Sequence, residues 1–338
     1  DGVLSDASGE LFIKPCTSAE IAFYETSVAL YSKFAEIMPT FLGTLALDVK
    51  DPTTTISDTG TTIQKEDSSQ NEAIKRSILP PDQLASCVEN MWAKASHINS
   101  ISINSIPVID RHKITTDKAI VLESASYGFR RPNILDVKLG VRLWADDAPE
   151  EKRIRLDQVT AESTHKDLGC RIAGMRVWQG HAAKGEGIDQ EGYKTYDKNY
   201  GKYSVKKDNI HKAFKNFIFN TEAGINEDLG KYVGQALLAD VTHIQSILES
   251  HENRFFSSSL LFVFEGDGEA LRAAIDESSQ PSQSIDDCED DELVKPKICS
   301  VKLIDFAHAE WTPGRGPDEN TLIGVRNVAN ILNDISVP

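Results

Sequence analysis

The sequence has few cysteines and no long apolar run. Its five cysteines among 338 residues are widely spaced and form no Cys-x-x-Cys pair. An odd number at such spacing argues against a zinc cluster or a secreted disulfide framework and favours a reducing compartment. No apolar stretch approaches the about 18 residues that a membrane-spanning helix needs. No signal peptide is visible, but the chain begins at Asp1 without methionine, so missing targeting signals exclude nothing.

Positive charge is also scarce. The chain has 36 Lys and Arg against 52 Asp and Glu, a net charge of −16. This balance argues against a general nucleic-acid or anionic-membrane binder, and against a polyanionic substrate unless charge is segregated. It is segregated, because 266–292 carries ten acids and one Arg, hence −9, which leaves −7 for the remaining residues. The composition predicts that 266–292 is a disordered acidic insertion in a hairpin and a candidate surface for protein partners.

Apolar residues make up 40% of the sequence, enough for a folded core. Nearly half of segment 51–70 is Ser or Thr, which predicts a mobile loop, most simply a solvated insertion. Apolar periodicity elsewhere predicts helices at 20–38, 149–159, 205–219 and 230–254. The same patterning predicts strands at 11–14, 41–49, 118–122, 134–139, 171–178, 259–265 and 301–306.

Two acidic residues stand inside apolar strands. Asp136 lies in Ile-Leu-Asp-Val-Lys-Leu-Gly at 134–140, and Asp305 lies in Val-Lys-Leu-Ile-Asp-Phe at 301–306. A carboxylate there costs several kcal/mol unless it is paired or bound to a metal. Lys138 shares a strand face with Asp136, because side chains alternate along a strand. A structural salt bridge or turn cap explains one such aspartate equally well, whereas two of them beside a lysine favour a functional cleft.

The Asp305-Phe306 pair resembles the metal-holding Asp-Phe of protein kinases. Lys14 lies on an early strand, and Glu20 follows at the start of a helix. In protein kinases a strand lysine binds ATP phosphates and a helix glutamate orients that lysine. The competing interpretation is that Lys14 is an ordinary surface lysine. No glycine-rich phosphate loop precedes Lys14, so the analogy is incomplete.

Several motifs together resemble the inositol polyphosphate kinases. The segment Pro-Asn-Ile-Leu-Asp-Val-Lys-Leu-Gly at 132–140 fits their PxxxDxKxG signature, and Ile-Asp-Phe-Ala-His at 304–308 is similar to their IDFAH motif. The other matching segments follow the family order: Leu-Gly at 168–169, Gly-Met-Arg-Val-Trp at 174–178, Tyr-Gly-Lys at 200–202, and Ser-Ser-Leu-Leu at 258–261. Segment 313–320 looks most like that of fungal multikinases, a branch of this family.

The resemblance implies an α+β, two-lobed, protein-kinase-like fold with antiparallel sheets in both lobes and a helical substrate-binding segment. The expected lobes are 1–128 and 129–338, with the substrate-binding segment at about 149–167. ATP would lie between the lobes with Mg²⁺. Carried over residue by residue, the nucleotide and metal contacts would be Lys14, Glu20, Glu123, Ala125, Asp136, Ser259 and Asp305, with Glu123 and Ala125 facing adenine and Asp305 holding the metal.

Asp136 would contact the attacking hydroxyl, and Lys138 would bind phosphate beside it, so that Asp136, Lys138 and Asp305 are the expected catalytic residues. The expected substrate contacts are Lys138, Lys152, Arg155, Arg176, Lys198, Lys202 and His308. A solvated charged helix face explains the run at 152–155 equally well.

The expected function is that of an inositol polyphosphate multikinase that phosphorylates inositol tris- and tetrakisphosphates towards the pentakisphosphate. Two alternatives stay open: a pyrophosphate-forming inositol hexakisphosphate kinase, and a non-catalytic scaffold linked to transcription. The resemblance also implies phosphoinositide signalling, a location in nucleus and cytoplasm, and a monomer that binds no nucleic acid directly.

Overall fold

The computed structural model describes residues 4–6, 8–46, 116, 118–279 and 297–336. The contacts between residues divide the chain into two compact units, 1–17 with 41–122 and 18–40 with 123–338. The sequence places 18–40 in the first lobe, whereas this segment belongs to the second unit. The lobe boundary after residue 128 stays a prediction.

The first unit contains a sheet of four strands in the described residues. The strands are β1 (Leu4–Ser5), β2 (Leu11–Pro15), β3 (Phe41–Ala46) and β4 (Lys118–Glu123), in the order β1-β2-β4-β3. Strand β1 pairs antiparallel with β2, and β3 with β4. Ile13, Ala119 and Val121 form its buried core. The strand predicted at 41–49 is described as far as Ala46, and the predicted loop 51–70 lies outside the described residues.

The second unit contains a five-stranded antiparallel sheet in the order β10-β9-β5-β6-β7. Its strands are β5 (Pro132–Leu139), β6 (Cys170–Trp178), β7 (Tyr193–Tyr196), β9 (Ser259–Glu265) and β10 (Cys299–Ile304). A short ribbon pairs β8 (Asn253–Phe255) with β11 (Ala309–Trp311). The chain contains both antiparallel sheets and helices, so the α+β prediction is confirmed.

The helices of the described residues all belong to the second unit. They are α1 (Ser18–Leu30), α2 (Ser32–Ala35), α3 (Glu150–Glu162), α4 (His165–Leu168), α5 (Ile210–Ile218), α6 (Glu227–Ser250), α7 (Gly268–Ser279) and α8 (Glu319–Ser336). A π-helical turn spans Tyr200–Ser204, and a 3-10 turn spans Thr221–Ala223. Among the described residues, no helix combines the length and the apolar character that crossing a bilayer requires.

One face of the five-stranded sheet is the core of the second unit. Along β5 the side chains of Leu135, Val137 and Leu139 are at most 1% exposed. Strand β9 contributes Phe262 and Phe264, whose rings pack edge-on against Phe214 and Phe217 of α5. Burying each of these side chains is worth about 1.5–3 kcal/mol. Because side chains alternate along a strand, the residues between these apolar ones point to the opposite face, which is less buried and can carry charge.

An aromatic cluster joins α1 and α2 to the end of β10. Phe23 stacks on Phe306 with ring centroids 4.9 Å apart, and Phe34 stacks on Phe255 at 5.9 Å. Tyr31 stacks on Trp311 at 3.6 Å. Because Phe306 directly follows Asp305, this cluster fixes the turn in which Asp305 lies.

Several predicted segments differ from the structure. The strand predicted at 301–306 ends at Ile304, so Asp305 lies in the turn after β10 and not inside a strand. The helix predicted at 230–254 ends at Ser250, and Asn253–Phe255 form β8. The helix predicted at 20–38 is interrupted at Tyr31, whose φ of −130° and ψ of 61° accommodate its stacking on Trp311. The helix predicted at 205–219 begins only at Ile210. The prediction of disorder across 266–292 is wrong for its first part, because α7 packs Leu271 and Ala274 into the interior and the Asp267 carboxylate accepts the N–H of Glu269. Residues 280–296 lie outside the described residues.

Candidate active site

Asp136 and Lys138 lie on the charged face of β5, as the two-residue periodicity predicts. Burial alternates along β5, and these two residues occupy the less buried positions. The antiparallel register places Gly174 opposite Asp136, and Arg171 and Ser259 on either side of Lys138. Residues opposite each other in a sheet point to the same side. The sheet therefore gathers acidic and basic groups at one end of β5.

Lys138 joins this strand to two turns. Its ammonium donates to the carbonyl oxygen of Ser257 at 2.8 Å and lies 3.6 Å from an oxygen of the Asp305 carboxylate. Asp305 and Ser257 have φ values of 67° and 63°, the left-handed region that residues with a Cβ rarely adopt. Backbone strain of this kind is concentrated at functional sites.

The Asp136 carboxyl is held in a largely buried position. Burial raises its pKa, and the proximity of Asp305 raises it further, while Lys138, Ser259 and Arg171 act to lower it. Neither Oδ1 of Asp136 nor Oγ of Ser259 has a hydrogen-bond partner among the described residues. A buried carboxyl with an unsatisfied oxygen is suited to accept a proton or a hydrogen bond from a substrate hydroxyl.

Arg171 belongs to this cluster although it was not among the sequence-predicted site residues. It opposes Lys138 across the β5–β6 pair, and its charge couples to that of Asp136. A β-bulge between Asp136 and Val137 shifts the pairing by one residue. The register of β6 against β5 would have identified Arg171 as a site residue. A single sequence does not reveal the bulge that sets this register.

The donor set at this site suits a hard divalent cation. The carboxylate of Asp305 is 40% exposed, and the buried carboxyl of Asp136 carries the unsatisfied Oδ1 nearby. Among the described residues, no three His, Cys, Asp or Glu side chains are grouped as ligands for a metal ion. One or two carboxylates that leave room for water and substrate phosphates are the usual ligands of protein-bound Mg²⁺.

Glu20 supports the Asp305 turn from α1. Its side chain is 1% exposed, and its carboxylate accepts the backbone N–H of Phe306 at 3.3 Å. Lys14 lies on β2 of the first unit. The predicted pairing of Lys14 with Glu20 stays a prediction.

The two predicted adenine-side residues lie at the end of β4. The Glu123 carboxylate accepts from the Thr40 hydroxyl at 2.8 Å and pairs with Lys297 at 3.1 Å. Its pKa is lowered because these partners outweigh the effect of burial. Ala125 follows in the turn between β4 and β5. Both stay predicted nucleotide contacts.

The structure brings Lys152 and His308 together. The Lys152 ammonium lies 3.2 Å from Nε2 of His308. An ammonium only donates, so Nε2 accepts and the ring is neutral. Burial lowers the pKa of His308, and the charge of Lys152 lowers it further, while Asp147 and Glu20 oppose these effects. Two nitrogen groups from α3 and from the turn after β10 thus form one anion-binding candidate.

The remaining predicted substrate residues lie apart from this cluster. The Arg176 guanidinium donates to Asp189 at 3.1 Å and to Glu191, and it stacks over the Tyr193 ring at 3.6 Å. The ammonium of Lys202 lies 3.6 Å from a carboxylate oxygen of Glu162. Arg176 and Lys202 are thus each paired with acidic side chains.

Arg155 and Lys198 are exposed. Within the described residues, no hydrogen bond or ion pair links either one to the Asp136 cluster. Their predicted substrate contacts stay predictions.

Comparison with known proteins identifies the family. The profile of the family described as inositol polyphosphate kinase matches residues 119–333. The inositol polyphosphate multikinase of Saccharomyces cerevisiae is 29% identical over 98% of this chain and 94% of its own length. The multikinase of Schizosaccharomyces pombe is 32% identical over 63% of this chain and 67% of its own length. Inositol hexakisphosphate kinase 3 of the mouse is 30% identical over 73% of this chain and 57% of its own length.

The fold comparison agrees with these matches. A crystal structure of inositol phosphate multikinase Ipk2 from S. cerevisiae, in complex with ADP and Mn²⁺, superposes with a TM-score of 0.61 and 25% sequence identity. The match covers 96% of this chain and 99% of that one. The two-lobed kinase-like fold expected from the motifs is thereby confirmed. Since the family profile spans more than half of the chain and includes Asp136, Lys138 and Asp305, the chain belongs to the inositol polyphosphate kinase family and is an inositol phosphate kinase.

Proposed function

We propose that this kinase is a multikinase, which uses ATP and Mg²⁺ to phosphorylate inositol tris- and tetrakisphosphates towards the pentakisphosphate. Its similarity to the S. cerevisiae multikinase extends over nearly the whole of both chains, whereas the mouse hexakisphosphate kinase is matched over 57% of its length. The S. cerevisiae Ipk2 structure holds ADP and Mn²⁺, which supports the use of a nucleotide and a divalent cation.

The observation that carries the proposal is the buried Asp136 carboxyl with its unsatisfied Oδ1, flanked by Lys138 and Arg171. Asp136 orients the attacking hydroxyl and accepts its proton. Its raised pKa makes it a stronger base than an exposed aspartate. Lys138 offsets the negative charge that develops on the transferred phosphoryl group.

Asp305 would hold the divalent cation, with Asp136 nearby. A divalent cation held there would supply positive charge that offsets the charge of the nucleotide phosphates. On the nucleotide side, Lys14 binds phosphate, Glu20 orients Lys14, and Glu123 and Ala125 face adenine. Ser259, whose Oγ is buried and unsatisfied, contributes a further oxygen on this side.

The substrate phosphates would meet two basic groups. Lys138 and Arg171 lie at the end of β5, and Lys152 and His308 lie between α3 and the turn after β10. Arg155, Arg176, Lys198 and Lys202 would form an outer ring. For Arg176 and Lys202, binding requires exchange of a carboxylate partner for phosphate.

A product analysis tests the proposal. The purified protein is incubated with Mg²⁺, ATP and either inositol 1,4,5-trisphosphate or inositol hexakisphosphate. Conversion of the trisphosphate to a pentakisphosphate is expected. Formation of pyrophosphates from the hexakisphosphate, with the trisphosphate left unchanged, would replace the multikinase by a hexakisphosphate kinase.

The role of Asp305 is tested separately. Asp305→Asn keeps the shape of the side chain and tolerates a left-handed backbone, so the fold is retained. We expect it to abolish activity through loss of the cation. Full activity with an unchanged Mg²⁺ dependence would refute the assignment.

The cellular setting stays a prediction. We infer a monomer in nucleus and cytoplasm, active in phosphoinositide signalling, with protein partners bound through 266–292. Complementation by an Asp136→Asn variant separates a kinase from a scaffold, since a scaffold retains its function in cells without catalysis.

A further inference from the structure

His165 is a buried residue that the proposed mechanism does not use. It begins α4, and its side chain is 0% exposed. Its Nδ1 lies 2.8 Å from the carbonyl oxygen of Gly140. A carbonyl oxygen only accepts, so Nδ1 carries the proton and Nε2 presents a lone pair. The N–H of Gly140 donates to the carbonyl of Gly169 at 2.8 Å, which fixes the peptide chain that orients His165.

One nitrogen of the His165 ring, Nε2, lacks a hydrogen-bond partner, and so does one donor of Arg171. Nε2 of His165 and Nε of Arg171 are both buried and without hydrogen-bond partners among the described residues. One is an acceptor and the other a donor. Buried polar atoms are normally satisfied by each other or by ordered water.

The charge of Arg171 acts on His165. The pKa of His165 is lowered to about 3, first by burial and then by Arg171, with a further contribution from Lys138. The bond to Gly140 opposes these effects without overcoming them. The imidazole is therefore neutral at neutral pH and remains an acceptor.

Arg171 needs such a contact if its orientation is to be fixed. It lies opposite Lys138 at the end of β5, and its charge couples to Asp136. In the described part of the chain, its guanidinium makes no hydrogen bond and no ion pair within the usual distances. An arginine held through Nε keeps both terminal nitrogens for bidentate recognition of a phosphate.

We propose that His165 is a positioning residue: one ordered water bridges the Nε–H of Arg171 to Nε2 of His165, and this link aims the guanidinium at the substrate phosphates. This inference rests on the proposed role of Arg171 in substrate binding. It adds a neutral, buried residue to the machinery that recognises a polyanion.

Two substitutions separate the functions of the two ring nitrogens. His165→Asn retains a donor for the Gly140 carbonyl but has no acceptor at the position of Nε2. His165→Gln reaches the position of Nε2 with its amide oxygen. We expect His165→Asn to raise KM for inositol 1,4,5-trisphosphate about 10-fold, as loss of one hydrogen bond to a charged group implies. His165→Gln should restore much of this loss, while KM for ATP stays unchanged in both variants.

A double-mutant cycle with Arg171→Lys makes the test specific, because lysine keeps the charge but lacks the Nε–H donor. Arg171→Lys alone should raise KM for the trisphosphate, and adding His165→Asn should raise it little further. Calorimetric binding of the trisphosphate without ATP provides a readout independent of turnover, and the melting temperature shows whether each variant is folded.

Different results of these measurements would overturn different parts of the proposal. If Arg171→Lys raises KM but His165→Asn has no effect, or an additive one, His165 does not act through Arg171. A melting temperature that falls with unchanged KM would likewise make His165 merely structural. If Arg171→Lys itself leaves KM and binding unchanged, the substrate role of Arg171 fails and the inference about His165 fails with it.

Discussion

The ammonium of Lys138 lies 3.6 Å from the carboxylate of Asp305, although 167 positions separate them in the sequence. The same ammonium donates to the carbonyl of Ser257. Asp305 and Ser257 both have left-handed backbone angles, each of which costs about 1–3 kcal/mol unless the surroundings impose it. Lys138 thus links the turns that contain Ser257 and Asp305 to the strand that carries Asp136.

Lys138→Met should damage catalysis in two ways, because it removes both the positive charge beside Asp136 and the partner of Asp305. We expect kcat to fall at least about 10²-fold, the scale for loss of one group that stabilises developing charge. Lys212→Met removes an exposed lysine from α5 and serves as the matched control. A kcat close to that of the control would show that Lys138 is structural.

Asp136→Asn should separate activity from stability. Turnover should fall at least about 10²-fold because the hydroxyl loses its base. The folded-state pKa of Asp136 is raised, so stability decreases as the pH rises through that pKa and the buried carboxyl ionises. Asparagine does not ionise, so the variant does not lose this stability as the pH rises. Thermal melting without metal or nucleotide should therefore show a variant at least as stable as the wild type at pH 7, and a marked loss of stability would contradict this.

Lys152→Gln should raise the pKa of His308. Lys152 lowers that pKa through its charge, and the glutamine removes the charge without removing a polar group. The titration of the histidine ring by NMR measures the change. The same spectrum should show the pKa rising in the wild type when an inositol phosphate binds, since its negative charge favours the imidazolium. A fall of this pKa in the variant would contradict the effect of the Lys152 charge, and a fall on ligand binding would exclude His308 as a contact of the anion.

His165 should make the protein sensitive to acid. Its pKa falls from 6.5 to about 3 on folding, so the unfolded chain binds the proton more readily. The stability associated with the neutral ring is complete above pH 6.5 and is lost as the pH falls towards 3, by up to about 1.4 kcal/mol per pH unit. His165→Asn should flatten the dependence of unfolding free energy on pH in this window. Denaturant titrations at several pH values measure this slope, and an unchanged slope would contradict the prediction.

Much of the second sheet could be predicted from the sequence. Strand alternation places Asp136 and Lys138 on one face, and the structure has them there. Periodicity could not predict that Tyr31 interrupts the first helix, because the stacking on Trp311 responsible for this comes from a distant part of the chain. Nor did the acidic composition of 266–292 reveal α7, which packs only two small-to-medium apolar side chains, Leu271 and Ala274, into the interior.

The sequence by itself determined the family, because the motifs that resemble this family are local and follow its order along the chain. It also determined which strand face carries charge, because side chains alternate with a period of two. Only the tertiary structure decided that Arg171 stands opposite Lys138, because a bulge sets that register. It likewise placed Arg176 against Asp189 and Glu191, and His165 against the end of β5. Contacts between distant segments depend on how the whole chain packs, and local patterns contain no information about them.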